Sequence, residues 1–329
     1  LTIRVLDGGL LTTVQDLGRT GSQKFGVIVS GAMDQYSSRI ANLLVRNHQE
    51  EAVLEMTIIG PTLQFDEDTL IALTGADLQA KLNGEPCARW RPVAVKKGSV
   101  LTFGYAIAGC RAYLAISGGL AVPIVMGSKS TYLAAGIGGF EGRTLQKGDR
   151  IPTGPSSAAS SSIAEHLQET SSRAAWSVPS FPFIPLRKNP AIRFLPGAEY
   201  EAFDEGSRQA FITESYMVTP QSNRMGARLE GPPLQLKKKL ELLSSGVTYG
   251  TIQIPPNGQP IILMADRQTT GGYPKIGHII TADLGILAQC KPGDRIQFRE
   301  VTLDQAEAEL MQKEKLIEHI QIGLKTKYK

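Results

Sequence analysis

Short apolar segments alternate with turn residues through most of the chain, and this punctuation predicts many strands joined by hairpins. From Leu1 to about Ile151 the breaks fall at Asp7-Gly8-Gly9, Leu17-Gly18, Gly60-Pro61, Asn83-Gly84, Lys97-Gly98 and Lys147-Gly148. One helix interrupts them, from Asp34 to about Val45, with Ile40, Leu43 and Leu44 on one face and Asp34 in the N-cap position. Residues 154–190 change character: serines at 156, 157, 160, 161 and 162 precede prolines at 179, 182, 185 and 190, the composition of a linker with a short helix near Glu165. A second β-rich region runs from Ala191 to about Val301. The chain closes on a helix opened by Thr302 and Gln305 as a capping box, followed by a solvated basic tail that includes Lys325, Lys327 and Lys329.

The expected organisation is a mostly β protein of two barrel-like units, 1–153 and 191–301, with a linker at 154–190 and a helix and tail at 302–329. Two internal echoes point to a repeat. Gly148-Asp149-Arg150-Ile151 returns as Gly293-Asp294-Arg295-Ile296, and Arg4-Val5-Leu6-Asp7-Gly8 resembles Arg193-Phe194-Leu195-Pro196-Gly197. A length of 329 residues suits two cores, and 42% hydrophobic content suffices to build them without staples. A net charge of +4, spread along the chain, argues against nucleic-acid or anionic-membrane partners. No run approaches the roughly 20 apolar residues of a membrane span. Three scattered cysteines, Cys87, Cys110 and Cys290, suit a reducing compartment, so a cytoplasmic location is expected.

Several familiar chemistries fail on spacing. Gly127-Ser128-Lys129-Ser130-Thr131 resembles a phosphate loop, but Ser128 stands where that loop needs its second glycine. Gly136-Ile137-Gly138-Gly139-Phe140-Glu141-Gly142 misses the dinucleotide spacing by one residue. The histidines at 48, 166, 278 and 319 stand singly, so no metal site is expected. No nucleophile elbow occurs.

Three polar clusters remain. In the first, Thr12 to Arg19 followed by Ser30 to Asp34, Asp16 is a candidate acid/base group and Arg19 an anion anchor. The structural alternatives are an Asx turn before Gly18, a surface ion pair and, for Asp34, a simple cap. In the second, Ser222-Asn223-Arg224-Met225-Gly226-Ala227-Arg228-Leu229-Glu230-Gly231, a strand would put Arg224, Gly226 and Arg228 on one face with room for an anion between two guanidinium groups; the structural alternative pairs Arg228 with Glu230 or a neighbouring strand. The third is Ile261 to Ile279, where a buried strand ends in Asp266-Arg267-Gln268-Thr269-Thr270, then Gly271-Gly272-Tyr273-Pro274. The glycines let the backbone approach a ligand, and Gln253 presents an amide to the same pocket.

The blocks Thr12–Gly21, Ser30–Asp34, Leu73–Gly84 (LTGADLQAKLNG), Arg111–Gly119, Gly127–Thr131, Ser222–Gly231 and Gly250–Gly277 make the chain resemble the family of allophanate hydrolase subunit 2, also described as KipA or as the C-subunit of 5-oxoprolinase. The resemblance implies two cyclophilin-like β-barrel units. It also implies partners, the KipI-like B-subunit of 5-oxoprolinase and its A-subunit, which together with this chain open 5-oxoproline to L-glutamate at the expense of ATP. The family's motif residues fall here on Asp16, Arg19, Ser222, Asn223, Arg224, Gln268, Thr269, Thr270, Gly271, Gly272 and Tyr273. Asp16, Arg19, Gln268, Thr269 and Thr270 are the expected catalytic set; Ser222, Asn223, Arg224, Arg228, Gln253, Gly271, Gly272 and Tyr273 are the expected substrate-binding set. Two alternatives accompany this reading. Related domains form the carboxyltransferase part of urea carboxylase, so a carboxyl-transfer subunit using biotin on another protein is one; this chain has no biotin-accepting Met-Lys-Met segment. The other is a non-catalytic antagonist of the KipI-type inhibitor of a sporulation kinase.

Overall fold

The computed structural model describes residues 2–180 and 189–327. The chain is mostly β, with five α-helices among the described residues, and forms two compact units. One comprises Leu1–Thr20, Ser30–Ile184 and Leu316–Lys329; the other comprises Gly21–Val29 and Pro185–Lys315.

In the first unit two sheets enclose one core. The six-stranded sheet runs in the order Arg150–Pro152, Thr2–Asp7, Thr62–Phe65, Val100–Thr102, Lys81–Leu82, Glu85–Pro86. The five-stranded sheet runs Thr12–Gln15, Val53–Thr57, Ala108–Ile116, Thr69–Asp77, Pro92–Val95. Val5, Leu63, Phe65 and Ile151 from one sheet meet Val14, Leu54, Leu73, Val95 and Leu114 from the other. The opposite face of the five-stranded sheet is also buried: Val53, Leu70, Ala72 and Tyr113 lie in one cluster with Ile40 and Leu44 of helix Gln35–Leu44, and with Ile163 and Leu167 of helix Ala158–Thr170. Burial on both faces explains why its strands read as continuous apolar or small-residue runs.

That second helix corrects the expected linker. Ser157 caps it by accepting from the Ser160 amide at 3.2 Å, and its apolar face belongs to the first unit's core, so residues 158–170 are structural despite their serines. The linker residues 181–188 and the final tail residues 328–329 lie outside the described set.

The second unit is a closed barrel in the order Ala191–Pro196, Lys275–Ile279, Thr251–Gln253, Ile261–Leu263, Gly226–Glu230, Ser215–Val218, Arg295–Glu300. Every pairing is antiparallel except the one that closes it, where Ala191–Pro196 runs parallel to Arg295–Glu300. Its centre is aromatic: Phe211, from helix Glu205–Thr213, stacks on Phe298 with ring centroids 4.2 Å apart and meets Phe194 edge-on at 4.9 Å.

The two echoes fare differently. In both Gly-Asp-Arg-Ile segments the glycine has positive φ, its N–H and the aspartate carbonyl bracket one valine (Val5 or Val218), and the aspartate carboxylate accepts from the amide three residues earlier (Gln146 or Lys291). The same turn is built twice. The opening echo is not equivalent: Thr2–Asp7 pairs antiparallel with Arg150–Pro152, whereas Ala191–Pro196 pairs parallel with Arg295–Glu300. Valine-bearing Ser215–Val218 takes the place that Thr2–Asp7 holds beside the turn.

Helix Leu303–Lys327 opens with the expected reciprocal box: the Thr302 amide donates to Gln305 Oε1 at 3.0 Å and the Gln305 amide to Thr302 Oγ1 at 3.3 Å. Ala306 joins a cluster of the second unit, while Ile317 and Leu324 join the core of the first. Among the described residues no helix is long and apolar enough to cross a membrane.

Candidate functional site

Strand Ile261–Leu263 ends in a polar turn that is tied down by one buried ion pair. Arg224 Nε and Nη2 donate to the two carboxylate oxygens of Asp266 at 2.9 and 3.0 Å, with both side chains under a tenth exposed. Beyond it Gln268 and Thr270 are exposed, and Thr270–Gly271 forms a short ribbon with Ser245–Gly246. Gly271 does not make room for a ligand as the sequence suggested. A Cβ there would meet Gln253 Nε2 at 2.4 Å, so the glycine admits the buried Gln253 side chain, whose amide reaches the Tyr273 carbonyl at 3.5 Å. Gly272 is exposed, and nothing lies nearer its added Cβ than Ser244 Oγ at 3.4 Å.

The arginine pair expected to flank an anion is separated by the same ion pair. The strand spans Gly226–Glu230, so Arg224 precedes it and turns inward to Asp266, while Arg228 lies on the exposed face. The gap at Gly226 is filled, since an added Cβ would stand 3.0 Å from Ile261 Cγ2. Ser222 and Asn223 shape the turn: Ser222 Oγ accepts from the Arg228 amide at 3.0 Å, and Asn223 Oδ1 accepts from the amides of Met225 and Gly226 at 2.8 and 3.2 Å. Both are occupied with backbone, an Asx-type role.

The structure brings Arg228 and Tyr273 together in another way. Both line a groove of about 490 Å³ in the second unit, with Thr219, Glu230, Asn257 and Ile261 among its other walls. The sequence offers Glu230 only as an ion-pair partner for Arg228, a pair not made among the described residues, and it misses Asn257. Glu230 was legible as the strand neighbour two positions beyond Arg228, on the same face; Asn257 sits in a turn with no periodicity to mark it. Gln259 also lines the groove but is pinned, exchanging both amide atoms with the backbone of Gly231 at 2.9 and 3.0 Å.

Asp16 and Arg19 belong to the first unit, where both have structural tasks. Asp16 Oδ1 accepts from the Gly18 amide at 2.8 Å and from the hydroxyls of Ser128 and Ser130 at 2.7 and 2.5 Å; Oδ2 accepts from the Lys129 amide at 2.5 Å. Three donors crowd Oδ1 and one reaches Oδ2, so the carboxylate is held mainly by its own chain. Lys129 Nζ meanwhile pairs with Glu51 at 2.5 Å. The segment with the look of a phosphate loop therefore grips a carboxylate of its own chain, and its donors do not fit a nucleotide phosphate. Arg19 is fully buried, donating to the carbonyls of Ser130 and Val125. Gly138 makes space for it: a Cβ there would meet Arg19 Nη2 at 2.6 Å and the Ser130 carbonyl oxygen at 2.1 Å.

Two polar features escaped the sequence reading. Glu55, buried in strand Val53–Thr57, accepts from the Met33 amide at 2.7 Å and from the Tyr113 hydroxyl at 2.9 Å; that hydroxyl accepts in turn from the Asp34 amide at 2.7 Å. Burial, then the charges of Glu55 and Asp34, push the Tyr113 phenol well above its ordinary value. Asp34 is the expected N-cap, accepting from Ser37 N at 3.1 Å.

In the second unit, His278 Nδ1 lies 3.1 Å from Thr251 Oγ1. Burial, then the charge of Lys275, holds its pKa below the usual 6.5. The fold thus favours the neutral ring, and the unfolded chain binds the proton first. Stability is complete above about 6.5 and declines as pH falls from there through the lower folded value. Unfolding midpoints in urea should drop over that window in the native chain, with a shallower slope in His278→Gln. Equal slopes would remove His278 as the cause. Among the described residues no three His, Cys, Asp or Glu side chains converge as a metal site requires.

Comparison with known proteins places these features in a family. Residues 25–300 match the carboxyltransferase domain, subdomain A and B. The chain is 43% identical to the 5-oxoprolinase C-subunit of Escherichia coli and 41% to that of Haemophilus influenzae, in each case over 92% of this chain and 93% of the relative. The crystal structure of Kluyveromyces lactis urea carboxylase superposes with a TM-score of 0.87 at 31% identity over 97% of this chain, which spans 29% of that much longer one. With a family model across most of its length and near-full-length relatives above 40% identity, the chain belongs to the family of 5-oxoprolinase C-subunits, proteins built on the carboxyltransferase domain.

Proposed function

We propose that this chain is one component of an ATP-dependent 5-oxoprolinase, working with an A-subunit and a KipI-like B-subunit to open 5-oxoproline to L-glutamate. The observation that carries the reading is extent. The chain matches 93% of the C-subunit proteins but only 16% of the Lachancea kluyveri urea amidolyase to which it is 35% identical.

The substrate's chemistry suits what the second unit exposes. 5-Oxoproline carries a carboxylate and a lactam N–H on one carbon, and its carbonyl needs donors where negative charge develops during opening. Arg228 and the groove beside it offer the carboxylate a cation. Gln268 and Thr270, exposed at the strand end, and Thr269 beside them are the donors assigned to the carbonyl. The loop at Gly127–Thr131 is spent on Asp16 and Glu51, so it does not supply the ATP site of the complex.

The test is glutamate release from 5-oxoproline and ATP with the three proteins mixed and then with each omitted. Activity should require this chain, and Gln268→Ala should lower kcat on the order of a hundredfold if its amide meets the transition state. Glutamate release that persists without this chain rejects the proposal. The urea carboxylase likeness supports a second reading, carboxyl transfer from biotin on another protein; avidin should then stop the reaction. A stable complex with the KipI-like partner that releases no glutamate would favour the antagonist instead.

A further inference from the structure

Among the described residues the side chains of Arg228 and Glu230 make no hydrogen bond or ion pair, although each lines the same groove. They project from one face of strand Gly226–Glu230, about 7 Å apart at a rise of ~3.4 Å per residue. Ser222 Oγ is engaged with the Arg228 backbone and Gln259 with Gly231, whereas the buried Thr219 Oγ1 in the groove wall has no partner among the described residues. A lone cation and a lone anion are thus held side by side, with the half-exposed Tyr273 ring, 46% accessible, in the same groove. One cation and one anion on a shared groove wall are complementary to a ligand that carries a carboxylate and a nitrogen donor on one carbon, the unit common to every α-amino acid.

We infer that this groove is an α-amino-acid site in which Arg228 takes the carboxylate and Glu230 the nitrogen, and that it binds the opened product more tightly than the lactam. The inference rests on the proposed oxoprolinase reading for the identity of the two ligands. Both share the carboxylate, so Arg228 does not distinguish them. The nitrogen does: in 5-oxoproline it is a neutral lactam N–H, whereas in L-glutamate it is an ammonium. Glu230 therefore makes a neutral-donor hydrogen bond to one and a charge-assisted bond to the other, and the latter is the stronger. Thr219, Asn257 and Ile261 line the remaining space of the groove.

Calorimetric titration of the full-length chain with L-glutamate and with 5-oxoproline as probes tests this. L-Glutamate should bind about tenfold tighter. Glu230→Gln should erase most of that preference while leaving 5-oxoproline nearly unchanged, and Arg228→Gln should weaken both about tenfold. Both positions are exposed, and circular dichroism checks that the variants fold. Equal affinities in the native chain, a preference for the lactam, unchanged binding in Arg228→Gln, or no saturable heat with either probe would each overturn the inference. The two readings fail separately. An assembled complex that makes glutamate while both variants bind as the native chain does keeps the function and rejects the site. A complex that makes none, while the chain still discriminates through Glu230, keeps the site and rejects the function.

Discussion

Arg224→Met is expected to destabilise the second unit by about 3–5 kcal/mol, the usual cost of stripping one partner from a buried ion pair. The magnitude follows from what is left behind. Asp266 stays under a tenth exposed, and it loses two charge-assisted bonds at 2.9 and 3.0 Å without gaining water in their place. Urea unfolding should show the midpoint falling with little change in slope. Removing both charges is a different experiment. Arg224→Met combined with Asp266→Leu leaves no orphan, and should recover most of the loss. A single variant as stable as the native chain would show that Arg224 is free to bind substrate, as the sequence first suggested. The recovery in the double variant is what separates a structural pair from a catalytic one.

Asp16→Ala should cost the first unit about 3 kcal/mol, because four donors converge on one carboxylate and water can replace only some of what they lose. For a unit of this size that is a fall in melting midpoint of roughly 6–12 °C. Asp16→Asn should lose somewhat less, since one oxygen survives as acceptor while the new amide points N–H groups at existing donors. The acid/base alternative predicts the opposite pattern: Asp16→Asn folded as well as the native chain, with kcat in the assembled complex reduced by about 10²–10⁴. Measuring stability and turnover on the same preparations decides between them.

Periodicity and punctuation revealed the β character, the helix capped by Asp34, the capping box at Thr302 and Gln305, and the duplicated Gly-Asp-Arg-Ile turn, because each depends on residues adjacent in sequence. The helix near Glu165 was legible, but composition placed it in a linker, because serine on a helix surface looks the same as serine between domains. The site was legible as a set of residues and not as an arrangement. Arg224 and Arg228 are four apart, and whether they share a strand face depends on where the strand begins, which Gly226 settles. The partners that redefine Asp16 lie more than a hundred residues away in a loop that failed its own motif. The roles of Glu55 and Tyr113 are invisible without pairing, because a glutamate and a tyrosine in strands 58 positions apart carry no local signal.

The register of the first unit sets a timetable for its birth. Thr2 pairs with Pro152, and the core around the five-stranded sheet includes Ile317 and Leu324. Its opening strand finds one partner at Thr62–Phe65 but must wait for Arg150–Pro152 to cover its other edge, and its core waits for nearly the whole chain. At about 5–20 residues per second, the 165 residues between positions 152 and 317 take roughly 8–33 s to emerge. Over that interval the apolar patch destined for Ile317 and Leu324 stands open on the ribosome, where a chaperone has time to find it and a premature stop codon would leave it uncovered.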